Sequence, residues 1–221
     1  PVPRGMATRR SGAGGQPSGS PLIRPPRALP KVLDPADVIA LLGAARHWRD
    51  RAMLEAMVLG GLRCCEVIGL RLEDLQPTQR LVFIADGKGG HQRLIPMSGQ
   101  FFQSLSNYLS LERPADASTD AVFVVLKTNR RGSPLSIDGL EQIVASAKAR
   151  AGLERATCHQ LRHTCLTRLR EAGMALEAIQ AQAGHRSIES TRVYLHLADG
   201  WLASEYQRAS DLIDASVGVL K

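Results

Sequence analysis

The chain has 221 residues, 44% of them hydrophobic, enough for one substantial core or for one domain with a short appendage. Lysine and arginine outnumber aspartate and glutamate 28 to 21, and the net charge of +7 suits a polyanionic partner such as nucleic acid. No stretch approaches the ~20 consecutive apolar residues of a membrane span, the basic N-terminus lacks the apolar run of a secretory signal, and the 4 cysteines form no disulfide framework, so a reducing, cytoplasmic setting is expected.

Residues 1–30 are rich in proline, glycine, serine and arginine without apolar periodicity and are expected to form a flexible basic linker or arm. Order is expected from Leu33. Asp34 is placed to cap a helix that opens on Pro35 and carries Val38, Ile39, Leu41 and Leu42. A second helix is expected from Asp50 to Leu59, ended by Gly60-Gly61, and a third from near Arg63 through Glu66, Val67 and Leu70. The period then changes. Residues 81–84 and 92–96 flank the glycine-rich run Asp86-Gly87-Lys88-Gly89-Gly90 and predict a β-hairpin with Lys88 near its tip. A helix is expected over 100–111, a loop over 115–120, and a strand or buried turn over 122–126. Ser136 caps a helix through Ala151, stopped by Gly152. Thr157 caps another through Glu171, a short one covers 176–182, Ser187 caps a stretch that carries Tyr194, and residues 201–217 are amphipathic around Leu202, Tyr206, Leu212, Ile213 and Val217.

Six residues in these elements are the types that handle a phosphodiester. Arg63 and Arg162 offer planar, bidentate donors to phosphate oxygens. His159, three residues before Arg162 and on the same helical face, and His185 can share that oxygen cluster or move a proton near neutral pH. Lys88 can protonate a leaving oxygen. Tyr194 can attack, although a phenol of pKa ~10 is only roughly 0.1% ionised at pH 7 and needs a cationic pocket. Glu66, three residues after Arg63, can orient its guanidinium. Each also fits an ordinary role when taken alone: a surface helix for His159 and Arg162, a helical ion pair for Arg63 and Glu66, a solvated turn for Lys88, core packing for Tyr194. A zinc site is disfavoured. His159 and His163 have the spacing, but Gln160 stands where a metalloprotease helix carries glutamate, and Cys158 and Cys165 do not share one face with both histidines.

Arg63, Lys88, His159-x-x-Arg162, His185 and Tyr194, in this order, resemble the active-site series of the tyrosine recombinase (phage integrase) family. Gly61-Leu62-Arg63-x-x-Glu66-x-x-x-Leu70 is similar to its first arginine motif, Gly87-Lys88-Gly89 to its hairpin lysine motif, His159-Gln160-Leu161-Arg162-His163 to its His-x-Leu-Arg-His box, and Gly184-His185 with Tyr194-Leu195-His196 to its close. The likeness runs from about Leu29 to Leu197. Gln182-Ala183 departs from the usual apolar pair, and His91 stands where lysine or arginine is common.

The resemblance implies a mainly α fold with a small antiparallel β-hairpin or sheet (α+β), occupying residues 31–221, with the helical core-binding domain that usually precedes it absent. It implies cleavage and rejoining of double-stranded DNA through a 3′-phosphotyrosyl intermediate, with Tyr194 as nucleophile. Arg63, Arg162 and His185 would stabilise the transition state, Lys88 would act as general acid, His159 as proton acceptor or phosphate ligand, and Glu66 would support them. No metal or other cofactor is required by such chemistry. Arg93, Arg130, Arg131, Arg168, Arg186 and Arg192 are candidate DNA-backbone contacts. A homo-oligomer, a tetramer on paired sites, and accessory DNA-bending proteins are the implied partners, and no membrane. The final helix is expected either to dock on a neighbouring protomer or to pack on its own domain. Type IB topoisomerase-like strand relaxation, a DNA-binding remnant without strand exchange and a zinc-binding structural domain are the other readings left open.

Overall fold

A computed structural model describes residues 32–85, 92–184 and 195–217. The elements in chain order are helices α1 (Pro35–Gly43), α2 (Trp48–Val58) and α3 (Cys64–Gly69), strands β1 (Leu75–Gln76), β2 (Leu81–Ile84) and β3 (Arg93–Pro96), then helices α4 (Gly99–Leu111), α5 (Ile137–Arg150), α6 (Cys158–Glu171), α7 (Leu176–Ala183) and α8 (Leu195–Val217). The mainly α architecture with one small antiparallel sheet is as expected. The sheet runs β1-β2-β3, with Val82 opposite Ile95 and Ile84 opposite Arg93. The alternation of β2 buries Val82 and Ile84, while β3 buries Ile95 and Pro96. The turn between β2 and β3 lies outside the described residues.

Helix α2 is the axis of the domain. Nine of its residues are buried, including Met53, Leu54, Ala56 and Met57. A helix enclosed on all sides belongs in a core, and α1, α4, α5 and α6 pack around it. It begins at Trp48, two residues before the expected start, because its cap is remote. The Glu112 carboxylate, at the end of α4, accepts the backbone N–H groups of Trp48 and Arg49 at 3.0 Å each. An acidic group at a helix N-terminus satisfies orphan donors and complements the dipole. The local caps behave as the sequence predicts: Ser136 Oγ accepts from Gly139 N at 3.2 Å, and Thr157 Oγ1 from Gln160 N at 3.2 Å.

The run at 122–126 is a buried extended segment rather than a ladder strand, held by isolated bridges from Arg71 to Ala121 and from Val124 to Pro134. Tyr108 clamps it. The hydroxyl donates to Val122 O and accepts from Val124 N, both at 3.1 Å, and the ring stacks on Phe123. The two-residue β1, paired with β2 at Leu75–Val82, is too short to leave a periodic signal.

A second core cluster joins α6, α7 and α8 through Leu169, Met174, Ala178, Leu202, Tyr206 and Ala209. Helix α8 therefore packs on its own domain. Its Tyr206 hydroxyl donates to Leu59 O at 2.8 Å, at the end of α2, and Leu212 faces outward. Among the described residues no helix is long and apolar enough to cross a membrane.

One buried acid strains this arrangement. Glu55, on α2, is fully enclosed; Arg51 Nε donates to its Oε1 at 2.9 Å, while Oε2 has no partner among the described residues. Burial pushes its pKa up to about 7, against the opposing influence of the Ser104 and Arg51 side chains, and the Asp214 carboxylate on α8 adds to the rise. Between about pH 4.5 and 7 the folded state keeps a proton that the unfolded chain has lost, so stability falls as pH rises through this window. Glu55→Gln is expected to raise the urea midpoint at about pH 8 and flatten the pH dependence, by up to about 3 kcal/mol. Parallel pH profiles for the variant and the parent chain would contradict this.

Candidate active site

The site is built around one carboxylate. Glu66 lies in the first turn of α3 with its side chain fully enclosed, and Arg63 is the N-cap of the same helix. Arg63 N donates to Glu66 Oε2 at 2.9 Å and Arg63 Nη1 to Oε1 at 2.7 Å, so the three-residue spacing closes a local ring. Arg93, at the start of β3, adds a second guanidinium through Nη1 to Oε1 at 3.0 Å. Arg162, on α6, brings a third, with Nη1 3.8 Å from Oε2. Burial opposes the Glu66 charge, but the hydrogen bond and charge of Arg93 and the donors of Arg63 outweigh it and hold its pKa below the usual carboxylate value.

A row of backbone carbonyls holds the same three arginines from the other side. At the end of α7, Gln182 O accepts from Arg93 Nε at 3.3 Å, Ala183 O from Arg162 Nη2 at 2.7 Å, and Gly184 O from Arg63 Nη2 at 3.3 Å. Unsatisfied carbonyls at a helix C-terminus carry partial negative charge and favour cations. Arg162 Nη1 also donates to Gly61 O, which ties α6 to the turn before α3. Gly61 and Gly184 both need left-handed backbone, with φ of 72° and 61°. At Gly184 a Cβ would also lie 2.8 Å from Arg93 Cζ. Gln182 explains the departure from the usual apolar pair: its buried amide donates to Gly60 O at 2.9 Å and Pro96 O at 3.1 Å and so joins α2, β3 and α7.

Three guanidiniums against one carboxylate leave a surplus of two positive charges in a half-enclosed place, which is an anion site. Arg162 shows the crowding: burial, opposed by Glu66, and the positive charges of Arg63 and Arg93 lower its pKa to about 10. Arg63 is the most open of the three, with 21% of its side chain exposed. His159 lies one turn before Arg162 and is exposed; its Nε2 is 2.8 Å from Nε2 of His163, so one ring donates and the other accepts. Burial, with the nearby His159 and Arg162, depresses the His163 pKa. No group of three or more His, Cys, Asp or Glu side chains among the described residues is arranged to hold a metal.

The structure thus brings Arg63, Glu66 and Arg162 together. Arg93, expected at a DNA backbone, has its guanidinium turned inward onto Glu66, with Nη2 buried and without a partner among the described residues. Arg130 and Arg131 are exposed in the loop before α5, Arg131 pairing with Asp116 at 3.0 Å, and Arg168 pairs with Glu171 at 2.9 Å. Lys88, His91, His185, Arg186, Arg192 and Tyr194 lie outside the described residues. Sequence reasoning missed the inward role of Arg93 and the carbonyl row. The signal for the row was Gly184 itself, a helix-ending glycine that bares the last carbonyls of α7.

The profile of the phage integrase family covers residues 31–200, and the chain belongs to that family. It is 32% identical over 189 residues to tyrosine recombinase XerD of Staphylococcus epidermidis, covering 81% of this chain and 62% of that protein. It is 34% identical over 178 residues to tyrosine recombinase XerC 2 of Ralstonia nicotianae, covering 78% of this chain and 50% of that one. The crystal structure of XerA recombinase superposes with a TM-score of 0.66 at 28% identity, over 83% of this chain and 66% of that chain. The integrase of mycobacterium phage Brujita has the same fold, with a TM-score of 0.67 at 24% identity over 89% of this chain and 66% of that chain. The chain spans between half and two-thirds of the length of these relatives.

Gly184→Ala is expected to force Arg93 off its position and strain the left-handed turn, with a loss of about 1–3 kcal/mol in urea unfolding. An unchanged midpoint would mean that the close approach of α7 to β3 is not under constraint.

Proposed function

We propose that this chain is the catalytic domain of a site-specific DNA recombinase, spanning residues 31–221, that cuts and rejoins DNA through a covalent 3′-phosphotyrosyl bond. One observation carries the reading. Arg63 and Arg162, nearly a hundred residues apart in sequence, converge on one enclosed carboxylate and leave a net positive pocket, in a chain that belongs to the phage integrase family.

In this reading Arg63 and Arg162, with His185, grip the non-bridging oxygens of the scissile phosphate. Their donors are fixed before the substrate arrives, by Glu66 on one side and the α7 carbonyls on the other, so charge that develops in the transition state meets dipoles that need not reorganise. Tyr194 attacks phosphorus and the 5′-oxygen leaves, taking its proton from Lys88. His159 takes the phenol proton or binds a phosphate oxygen, and the His163 contact orients its ring. The phosphotyrosine conserves the bond energy for rejoining, which requires neither nucleotide nor metal. Arg93 acts by holding Glu66. Arg130, Arg131, Arg168, Arg186 and Arg192 contact the DNA backbone, residues 1–30 form a basic arm, and the working form is a tetramer on paired sites, assisted by DNA-bending proteins in the cytoplasm.

The test is a nicked suicide substrate that traps the covalent adduct. The parent chain is expected to form a protein–DNA species that survives denaturing electrophoresis. Tyr194→Phe should abolish it while leaving DNA binding within about two-fold, since only one hydroxyl is removed. An adduct that persists in Tyr194→Phe overturns the assignment of the nucleophile; binding without any adduct in the parent chain favours a DNA-binding remnant.

A further inference from the structure

The end of α2 gathers three later helices onto one short turn. Gly61 N and Leu62 N bond back to Met57 O and Ala56 O at 3.1 Å each, so the turn is fixed on the backbone of its own helix. The last carbonyls of a helix have no partner within it, and here side chains from far along the chain supply the donors. Leu59 O accepts from Tyr206 Oη on α8 at 2.8 Å and from Cys165 Sγ on α6 at 3.2 Å. Gly60 O accepts from Gln182 Nε2 on α7 at 2.9 Å. Gly61 O accepts from Arg162 Nη1 on α6. Arg63 stands two residues further on. Three successive carbonyls therefore tie α8, α7 and α6 to the segment that delivers one arginine of the anion site and anchors another.

The turn has little room to absorb a shift. A Cβ on Gly60 would lie 2.4 Å from Met97 Cε and 2.8 Å from Ala56 O, and one on Gly61 would lie 3.3 Å from Leu166 Cδ2. Close-packed surroundings of this kind transmit a displacement to their neighbours. Among the ties to the turn, Tyr206 has no place in the anion site itself. It is fully buried in the cluster that joins α6, α7 and α8. Burial holds its phenol well above the ordinary pKa, so the hydroxyl stays a donor. The Cys165 thiol, which shares Leu59 O with it, is a weak donor. Core packing requires the ring of Tyr206 and not its hydroxyl; a phenylalanine would fill the same space and leave Leu59 O without its phenol partner.

We propose that Tyr206 is a positioning residue for the anion site: through Leu59 O its hydroxyl fixes the turn 59–61, so that Gly61 O holds Arg162 in place and Arg63 leaves the turn toward Glu66. Without the hydroxyl, Leu59 O is buried and short of a donor, and the turn shifts to recover one. Gly61 O moves with the turn, and the Arg162 guanidinium loses one of the acceptors that orient it. Tyr206 itself does not touch the anion. Its effect on DNA cleavage rests on the proposed function, whereas its hold on Arg162 does not.

The hold on Arg162 is read on the folded chain without DNA. In 15N-labelled protein the Arg162 guanidinium signals, identified by their loss in Arg162→Lys, are expected to exchange slowly with solvent, because Nη1 and Nη2 are both bonded to carbonyls. Tyr206→Phe should speed that exchange by about five-fold or more, the scale of one lost hydrogen bond. Leu202→Ala thins the packing of α8 without touching the hydrogen bonds of the turn, and should change the exchange by less than about two-fold. Equal exchange in the parent chain and Tyr206→Phe overturns the proposal. An equal increase in Tyr206→Phe and Leu202→Ala overturns it as well, since loosening of α8 alone would then suffice. On the nicked suicide substrate, Tyr206→Phe should form adduct about five-fold or more slowly at saturating DNA, with the half-saturating concentration within about two-fold of the parent's, because it is the transition state that loses its donors. Equal saturated rates, or a loss confined to affinity, would overturn the effect on the reaction. Absence of adduct in every form, the parent included, would count against the proposed reaction and not against the hold on Arg162.

Discussion

A carboxylate removed from water is costly to ionise, and Glu66 offsets that cost by collecting guanidiniums from three separate parts of the chain. Its dependence runs both ways. Without Glu66, Arg63, Arg93 and Arg162 would stand as three like charges in a half-buried place. Without the arginines, Glu66 would be a buried charge with no partner. The turn before α3, strand β3 and helix α6 are thereby fixed to one another by a single side chain.

Helix α7 completes the enclosure with main-chain atoms. Three successive carbonyls, Gln182, Ala183 and Gly184, each receive one of the three arginines, and the left-handed turn at Gly184 lets the helix end close against Arg93. The backbone acceptors orient the guanidiniums without neutralising them, because peptide dipoles carry no net charge, and the single carboxylate offsets only one of the three charges. The pocket keeps its surplus of positive charge and loses most of its freedom, which is what a phosphate-stabilising site requires. The inward role of Arg93 and the buried amide of Gln182 serve this same rigidity.

Much of this was legible in the sequence, and what was hidden had physical reasons. Helices with local caps, at Ser136 and Thr157, and the alternating β2–β3 pair were readable because their signals are contiguous. The start of α2 was misplaced because its cap, Glu112, lies 64 residues away. β1 was invisible because two residues cannot show a period. In the site, Arg63, Glu66 and Arg162 were readable as types in a familiar order, and the Arg63–Glu66 contact followed from helical spacing. For Arg93 a sequence shows that an arginine sits on a hairpin, not that a buried carboxylate waits beneath it.

The central claim, that Glu66 and its arginines act as one unit, is open to a double-mutant cycle in urea. Glu66→Gln, Arg93→Gln and the double variant are compared with the parent chain. If the carboxylate organises the site, the two changes are coupled by about 1 kcal/mol or more, since removing either partner already removes most of what the other contributes. Effects that add to within about 0.5 kcal/mol would show that Glu66 and Arg93 stand near each other without depending on each other, and would contradict the account.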